Sequence, residues 1–371
     1  VDVRPAAGHA RTLSAAFFPR RLRNAGMDTF HPPEVSRDLR STGYHLSFVE
    51  SATLSPKALL SSRLGASLFD VTVSPYGSGP MELTVEGNRG AFFNRQDRRT
   101  LAYEWAETLT LSRQSRAGEH LLKAGINVLH ASYRGHSDSR AVIVRRANGT
   151  IGWRQDFGPP TSQRVGGTDL AAFVQDQWRP VSPLQLDLGL RVDRDGVLRR
   201  TSLGPRFGFA ATLVPSGALI LRGGAGIFYE RTPLNVGAFE SFESPTVSWF
   251  GPDGSPSGVP VTWHLRSGPL YTPRSRVLNL ELNMRAARGA VVKVNHLRRN
   301  GSREFVVDPA SEGQVPEFLL RSTGRSAFEE TEVSVRFGEG DERQLTCSYV
   351  RSHVTGDSNS YDQYFGTMRA P

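Results

Sequence analysis

The stretch LQLDLGLRVDRDG, residues 184–196, decides the fold of this chain, because its side chains alternate without interruption. In a strand, successive side chains point to opposite faces, so the segment predicts a strand with one aliphatic and one polar face. Periodicity alone leaves two surroundings open for the aliphatic face, namely the core of a soluble sandwich or the lipid of a membrane. The aliphatic positions are Leu184, Leu186, Leu188, Leu190 and Val192.

The bulk composition excludes one class of membrane protein. Hydrophobic residues make up 38% of the 371 residues, and the mean hydropathy is -0.36. No run approaches the roughly 18 apolar residues of a membrane helix. Transmembrane barrels remain possible because their alternating strands average to mild polarity. The 37 glycines and 23 prolines indicate many turns.

The charge and the cysteine content exclude further classes. The net charge is +9, and nearly all basic residues are arginines dispersed through the chain without a nucleic-acid-binding motif. We therefore expect no nucleic-acid partner. The lone Cys347 excludes an internal disulfide framework and any thiolate metal cluster.

Segments of period two recur along most of the chain, and we count about fourteen strands with no convincing helix. Residues 1–42, rich in arginine and proline, are predicted to be a loop or a disordered N-terminal edge, whereas the alternating segments cover residues 43–371. The strand segments lie at 43–54, 63–73, 81–87, 101–111, 120–133, 141–146, 170–178, 184–196, 203–214, 218–230, 277–286, 290–299, 328–338 and 343–353.

The connections alternate between short turns and long loops. The stretches 179–183 and 214–217 are hairpin-sized, whereas 134–167 and 231–275 are long and rich in Gly, Pro and Ser. Short turns at one end and long external loops at the other are typical of outer-membrane barrels. The segment 184–193 also alternates for ten residues, close to the roughly 9–11 that span a bilayer.

This interpretation assigns faces to individual residues. A one-residue slip of the strand would point Arg191 at lipid, at a cost of about 2–4 kcal/mol at the midplane. We therefore expect the polar positions Gln185, Asp187, Arg191 and Asp193 to face a wet lumen. The neighbouring segment 170–178 is ambiguous because Asp176 interrupts one of its faces. The aromatic residues near strand ends are candidates for girdles at the membrane interfaces, namely Tyr103, Trp105, Trp178, Phe228 and Tyr229.

No pattern indicates catalysis, a cofactor or a metal site. Gly224 and Gly226 form a G-x-G, but no helix-forming stretch follows, so glycines within a barrel strand explain the pair better. His130 and His136 lack further residues at ligand spacing. We therefore expect a protein that is not an enzyme.

Five motifs, in order, give the chain a family resemblance. It resembles the β-barrel of TonB-dependent outer-membrane receptors, in particular the Oar-like receptors with a carboxypeptidase-regulatory-like domain. Their barrels carry F-x-Q-D-x-W, a short turn and L-x-L-x-L-G-x-R-Y-D, and Val192 replaces the usual aromatic residue here. The matching stretches lie at 119–128, 171–196, 203–210, 221–231 and 348–371.

The resemblance implies an antiparallel transmembrane β-barrel in the outer membrane of a Gram-negative cell. Such barrels have 22 strands, so about fourteen strands imply that residues 43–371 form a partial barrel, a fragment of the whole. The resemblance also implies energised uptake of a scarce or bulky ligand, which binds the lumen and the external loops. A plug domain, which is not visible in this chain, would link the barrel to the TonB energy-transducing complex.

Two alternatives stay open at this stage. An autonomous outer-membrane porin of about fourteen strands would pass solutes without a partner, and its first and last strands would pair. A soluble all-β ligand-binding protein would bury the aliphatic face of 184–192 internally. The long, cleanly alternating strands and the asymmetry of the connections weigh against the soluble protein.

Overall fold

The computed structural model describes residues 2–3, 8–286, 289–310, 315–338, 344–359 and 361. Nearly all regular structure in these residues is extended, which confirms the prediction of an all-β chain. Two 3-10 helices are present, Pro33–Val35 and Leu234–Ser241. In the described residues no helix is long and apolar enough to cross a membrane. The strands are β1 (Asp2–Val3), β2 (His9–Ala25), β3 (Arg37–Ser55), β4 (Ala58–Pro75), β5 (Met81–Leu83), β6 (Arg89–Gly90), β7 (Asn94–Ser115), β8 (Gly118–Ser139), β9 (Val142–Arg145), β10 (Ile151–Phe157), β11 (Thr161–Val181), β12 (Leu184–Arg194), β13 (Thr201–Thr212), β14 (Leu219–Tyr229), β15 (Pro245–Phe250), β16 (Pro256–Thr262), β17 (His264–Ser267), β18 (Arg274–Arg285), β19 (Val291–Ala310), β20 (Glu317–Phe337) and β21 (Leu345–Gly356).

One large sheet, which we call the wall sheet, contains fifteen of the described strands. Fourteen of them form one antiparallel series in the order β1-β2-β3-β4-β7-β8-β11-β12-β13-β14-β18-β19-β20-β21, and the short β17 pairs with β20 in parallel. Strand neighbours therefore follow the chain, as in an up-and-down meander. Among the described residues no ladder joins the first strands to the last, so this sheet is open.

The two ends of the wall sheet differ in their connections. At the turn end, residues 56–57, 116–117 and 182–183 close tight hairpins. Gly118 begins β8 there with φ +113, a conformation that favours glycine. At the loop end, residues 76–93, 140–160 and 230–273 form long connections. The predicted asymmetry between short turns and long loops is therefore present.

The long connections form a sheet of their own, which we call the loop sheet. Its six strands lie in the order β16-β15-β10-β9-β5-β6, and they come from three different connections of the wall sheet. β9 pairs in parallel with β5, and β10 pairs antiparallel with β15. Segments far apart in sequence thus stabilise one another at the loop end.

Two apolar clusters fix the connections to the wall sheet. In the first, Phe239 and Val236 of the longer 3-10 helix pack with Leu320 of β20 and Phe305 of β19. In the second, Met81 and Val142 of the loop sheet pack with Val73 of β4. Each buried side chain of this size contributes about 1.5–3 kcal/mol by leaving water. The loop end is therefore a packed region.

Several sequence-based boundaries differ from the structure. Residues 9–25 form β2, paired with β3, although we expected a loop or disordered edge over 1–42. Pro19 and the nearby arginines obscure the alternation of that strand. Strands also reach further into the expected loops, because β8 extends to Ser139 and β11 starts at Thr161. The predicted strands at 81–87 and 141–146 belong to the loop sheet and not to the wall.

Candidate functional site

The register of the wall sheet divides its residues between two faces. Directly paired residues of neighbouring strands point to the same side of a sheet. Leu190 pairs with Val174 and with Pro205, whereas Arg191 pairs with Phe173 and with Gly204. Following these pairs across the strands separates two faces of the wall sheet. We call the face that contains the aliphatic side of 184–192 the apolar face, and the opposite one the polar face.

The apolar face carries solvent-exposed apolar side chains across most of the strands from β2 to β18. Leu188, Leu190 and Val192 are 43%, 42% and 40% exposed. Large apolar side chains exposed on the same face occur on most strands from β2 to β18. They are Leu13, Phe17, Leu46, Leu64, Tyr103, Trp105, Ile126, Val174, Leu203, Phe207, Leu278 and Leu280.

The four polar residues that the sequence analysis singled out lie together on the polar face of β12. The Arg191 guanidinium donates from Nε to Asp193 Oδ1 at 2.8 Å and to Oδ2 at 3.0 Å. Gln185 Nε2 donates to Asp187 Oδ2 at 3.4 Å. Arg206 of β13, which pairs with Gly189, lies on the same face.

A cavity of 170 Å³ opens beside this group near the loop end. Its lining is mainly charged, and an ion pair spans it from Arg231 Nε to Asp169 Oδ2 at 3.0 Å. Thr272 is also a lining residue, and its hydroxyl is buried without a hydrogen-bond partner in the described part of the chain. The lining includes Asp169, Arg191, Asp193, Asp195, Glu230 and Thr272.

Sequence reasoning missed most of this cavity. Asp169 of β11 pairs with Leu129 and lies on the polar face. The alternation of side chains along β11 could therefore have identified Asp169 from the sequence. Arg231 and Thr272 lie in the long connection after β14, where no local period indicates which face a side chain meets.

Further along the polar face, three strands share an ionic cluster. Glu281 of β18 accepts from Arg222 Nη1 of β14 at 2.8 Å, and it lies 3.1 Å from Lys293 Nζ of β19. Two cations thus share one carboxylate, which leaves a net positive charge there.

The longest connection is anchored to the loop end of the polar face through Glu243. Its carboxylate accepts from the backbone N–H of Ser139 at 2.9 Å, from Ser137 Oγ at 3.1 Å and from the Ser139 hydroxyl. Asn94 donates to both serines, so the four side chains form one buried network. Burial raises the pKa of Glu243 above its ordinary value, although the bonds from the serines act in the opposite direction.

A second carboxylate holds the loop sheet together. Arg145 of β9 donates to Glu82 of β5 through two bonds of 2.8 Å. This hydrogen bonding holds the pKa of Glu82 below its ordinary value. The two loop-end carboxylates are therefore perturbed in opposite directions.

The ambiguity at Asp176 is resolved by its neighbour. Asp176 lies on the apolar face near the turn end, where His120 Nδ1 contacts Asp176 Oδ2 at 2.8 Å. The His120 ring is stacked on Trp178, with ring centroids 5.9 Å apart. Asp176 is thus paired with His120, whose ring is stacked on Trp178.

The girdle candidates do not all share a face. Tyr103, Trp105 and Trp178 lie on the apolar face, and Tyr229 has the same parity by its pairing with Arg274. Phe228 lies on the polar face, where the Arg206 guanidinium is 4.5 Å from its ring centroid. Phe228 is therefore excluded from any belt formed by the others.

Comparison with known families decides the classification. The family described as TonB dependent receptor-like, beta-barrel matches residues 5–261. This chain belongs to that family. The prediction of an antiparallel barrel fold is confirmed, whereas the Oar-like subfamily is not. Members of the family are outer-membrane receptors and transporters, not enzymes.

Solved structures agree with this assignment. The outer-membrane transporter YddB of Escherichia coli superposes with a TM-score of 0.69 at 14% identity, over 95% of this chain and 47% of that one. FpvA of P. aeruginosa, bound to iron and a pyoverdine, gives 0.63 at 11% identity, over 97% and 48%. The ferric-catecholate import receptor Fiu of E. coli K12 gives 0.61 at 9% identity, over 95% and 56%.

At these identities the structural matches show the fold alone. The chain spans about half the length of the solved structures it matches. No curated protein sequence is significantly similar to it.

Proposed function

We propose that this chain forms part of the wall of a TonB-dependent transporter in the outer membrane. Its apolar face contacts lipid, and its polar face lines the passage for the ligand. Gln185, Asp187, Arg191 and Asp193 then face the lumen, as expected from their alternation. Tyr103, Trp105, Trp178 and Tyr229 are left as the candidates for interfacial belts.

The observation that carries this proposal is that the long connections fold over one face only. Gln163 on the polar face donates to the Ser241 carbonyl of the longer 3-10 helix at 3.3 Å. Ser137 and Gln163, both on this face, are only 4% and 2% exposed. Within the residues that the structure describes, the apolar face carries no such cover. An uncovered apolar surface on this scale is unfavourable in water and favourable in lipid.

Membership of the family supports an active mode of transport. We propose uptake of a ligand too bulky or too scarce for passive channels, energised by the TonB complex through a plug domain. The ligand would contact the polar face and the connections within 134–167 and 231–275. The packed cover at the loop end supports gated uptake more than an open porin, because connections folded over the polar face narrow the entrance.

The test is whether uptake conferred by the gene depends on TonB. Cells that express the gene's complete product, with or without the host TonB protein, are given iron-55 siderophores, labelled cobalamin and a labelled peptide mixture. Accumulation of a probe only in cells with TonB is the expected result. Equal accumulation in both strains would contradict energised transport and favour a passive porin.

A further inference from the structure

Three arginines lie side by side on the apolar face, nearer the loop end than the turn end. Arg99 of β7 pairs with Arg134 of β8, and Arg134 pairs with Arg164 of β11. We call these three residues the arginine row. All three side chains are exposed.

Only one arginine of the row has an ion-paired carboxylate within the described residues, although Asp97 lies one two-residue step along β7 on the same face. Arg99 is neutralised by Asp70 of β4, with Nε 2.6 Å from Oδ1 and Nη2 3.3 Å from Oδ2. Arg134 and Arg164 have no ion pair within the described residues. Like charges directly opposite each other on a sheet are destabilising. The row therefore carries an electrostatic cost that a bound anion would relieve.

On β7 the arginine row lies next to the apolar residues of the face. Two residues from Arg99, toward the turn end, lies Leu101, which is followed by Tyr103 and Trp105 on the same face. Leu101 lies in the same cross-strand row as Phe17 and Tyr44, whose rings are 4.9 Å apart. A two-residue step along a strand is about 7 Å. On β7 the row thus lies just beyond the apolar band, whereas on β8 and β11 small or polar side chains separate it from that band, which begins at Val128 and Leu170.

We propose that the arginine row binds the phosphate groups of an anionic lipid in the leaflet nearest the loop end. Guanidinium groups bind phosphate through paired hydrogen bonds. Arg134 and Arg164 supply two such groups side by side, and the apolar residues that follow Arg99 on β7 accept acyl chains. This inference rests on the proposed function, because it requires the apolar face to lie in a bilayer.

The test measures lipid retention by the gene's complete product in detergent, with native mass spectrometry as the readout. The probe is a diphosphorylated lipid A, and its dephosphorylated form is the lipid control. Arg134→Gln with Arg164→Gln should weaken binding about 30-fold, since each arginine near an anionic surface contributes about fivefold. Arg113→Gln with Arg116→Gln, which removes equal charge at the turn end of the same hairpin, should leave binding unchanged.

A stability measurement separates lipid binding from folding. Without anionic lipid, the Arg134→Gln and Arg164→Gln variant should unfold at a higher temperature than the wild type, because the like-charge contacts are gone. With lipid A the order should reverse, because only the wild type is stabilised by the bound anion.

Three outcomes would overturn the inference: equal binding by the variant, equal binding of the dephosphorylated lipid, or an unchanged order of unfolding temperatures. The proposed function fails separately if brominated acyl chains do not quench the fluorescence of Trp105 and Trp178 in vesicles.

Discussion

Replacing Glu243 with alanine should release the long connection between β14 and β18 from the polar face of the wall sheet. The carboxylate accepts three hydrogen bonds, from the Ser139 N–H, the Ser139 hydroxyl and the Ser137 hydroxyl. Hydrogen bonds of a neutral carboxyl contribute about 0.5–1.5 kcal/mol each. Ionisation adds a burial cost that exceeds what the charge gains from these bonds, so the pKa of Glu243 is raised. We expect Glu243→Ala to lower the local free energy of opening by about 2–4 kcal/mol.

The pH dependence has a defined sign. The folded-state pKa of Glu243 is raised by burial, so the folded protein holds this proton more tightly than the unfolded chain. Its contribution is complete below the unfolded pKa, near 4.5, and is lost as the pH rises through the higher folded-state value. Glu243→Gln keeps a neutral hydrogen-bonding group, so it should remove this pH dependence and cost less than alanine.

Hydrogen exchange of peptides covering 234–250, corrected for the intrinsic effect of pH, measures this opening. Exchange should be about 30- to 1000-fold faster in Glu243→Ala than in the wild type, which corresponds to the same 2–4 kcal/mol. Peptides of the turn end serve as the internal control. Equal protection in the alanine and glutamine variants, or wild-type protection that increases with pH, would refute the reasoning.

Two further predictions concern other parts of the chain. Leu190→Arg places a charge on the apolar face and should destabilise the membrane-inserted protein by about 2–4 kcal/mol, measured by urea titration in vesicles. Gly189→Ser, on the polar face, should have little effect on stability. Equal effects of the two substitutions would contradict the assignment of faces. Glu82→Gln should loosen the loop sheet by about 1–3 kcal/mol, measured by exchange of β9 amides. Because the pKa of Glu82 is lowered in the folded protein, its contribution to stability is present above the unfolded pKa and is lost as the pH falls through the folded-state pKa. This pH dependence is opposite in sign to that of Glu243. Protection of the β9 amides that does not change with pH would argue against this.

Much of the wall sheet could be predicted from the sequence because its strands pair with their chain neighbours. Alternation over 184–193 fixed the faces of Asp187 and Arg191, and the register agrees with it. The same parity count, made from Arg222 along β14, would have excluded Phe228 from the apolar face. The girdle prediction includes Phe228 because it is aromatic and lies near a strand end, without considering to which face its side chain points.

The loop end could not be predicted in the same way. β5 and β9 are short and pair in parallel across two different connections, so their partners depend on long-range packing and not on local period. The anchoring role of Glu243 depends on Ser137 and Ser139, which lie more than a hundred residues earlier. The arginine row also depends on register, since its members are far apart in sequence.

The central claim is that the apolar face meets lipid while the polar face meets water. The most direct measurement is thiol labelling of single cysteines in outer membranes, in a Cys347→Ser background. Asp193→Cys should react with a charged, membrane-impermeant maleimide, and Leu190→Cys should react only with a lipid-soluble one. Equal reaction of both positions with the charged reagent would contradict the account.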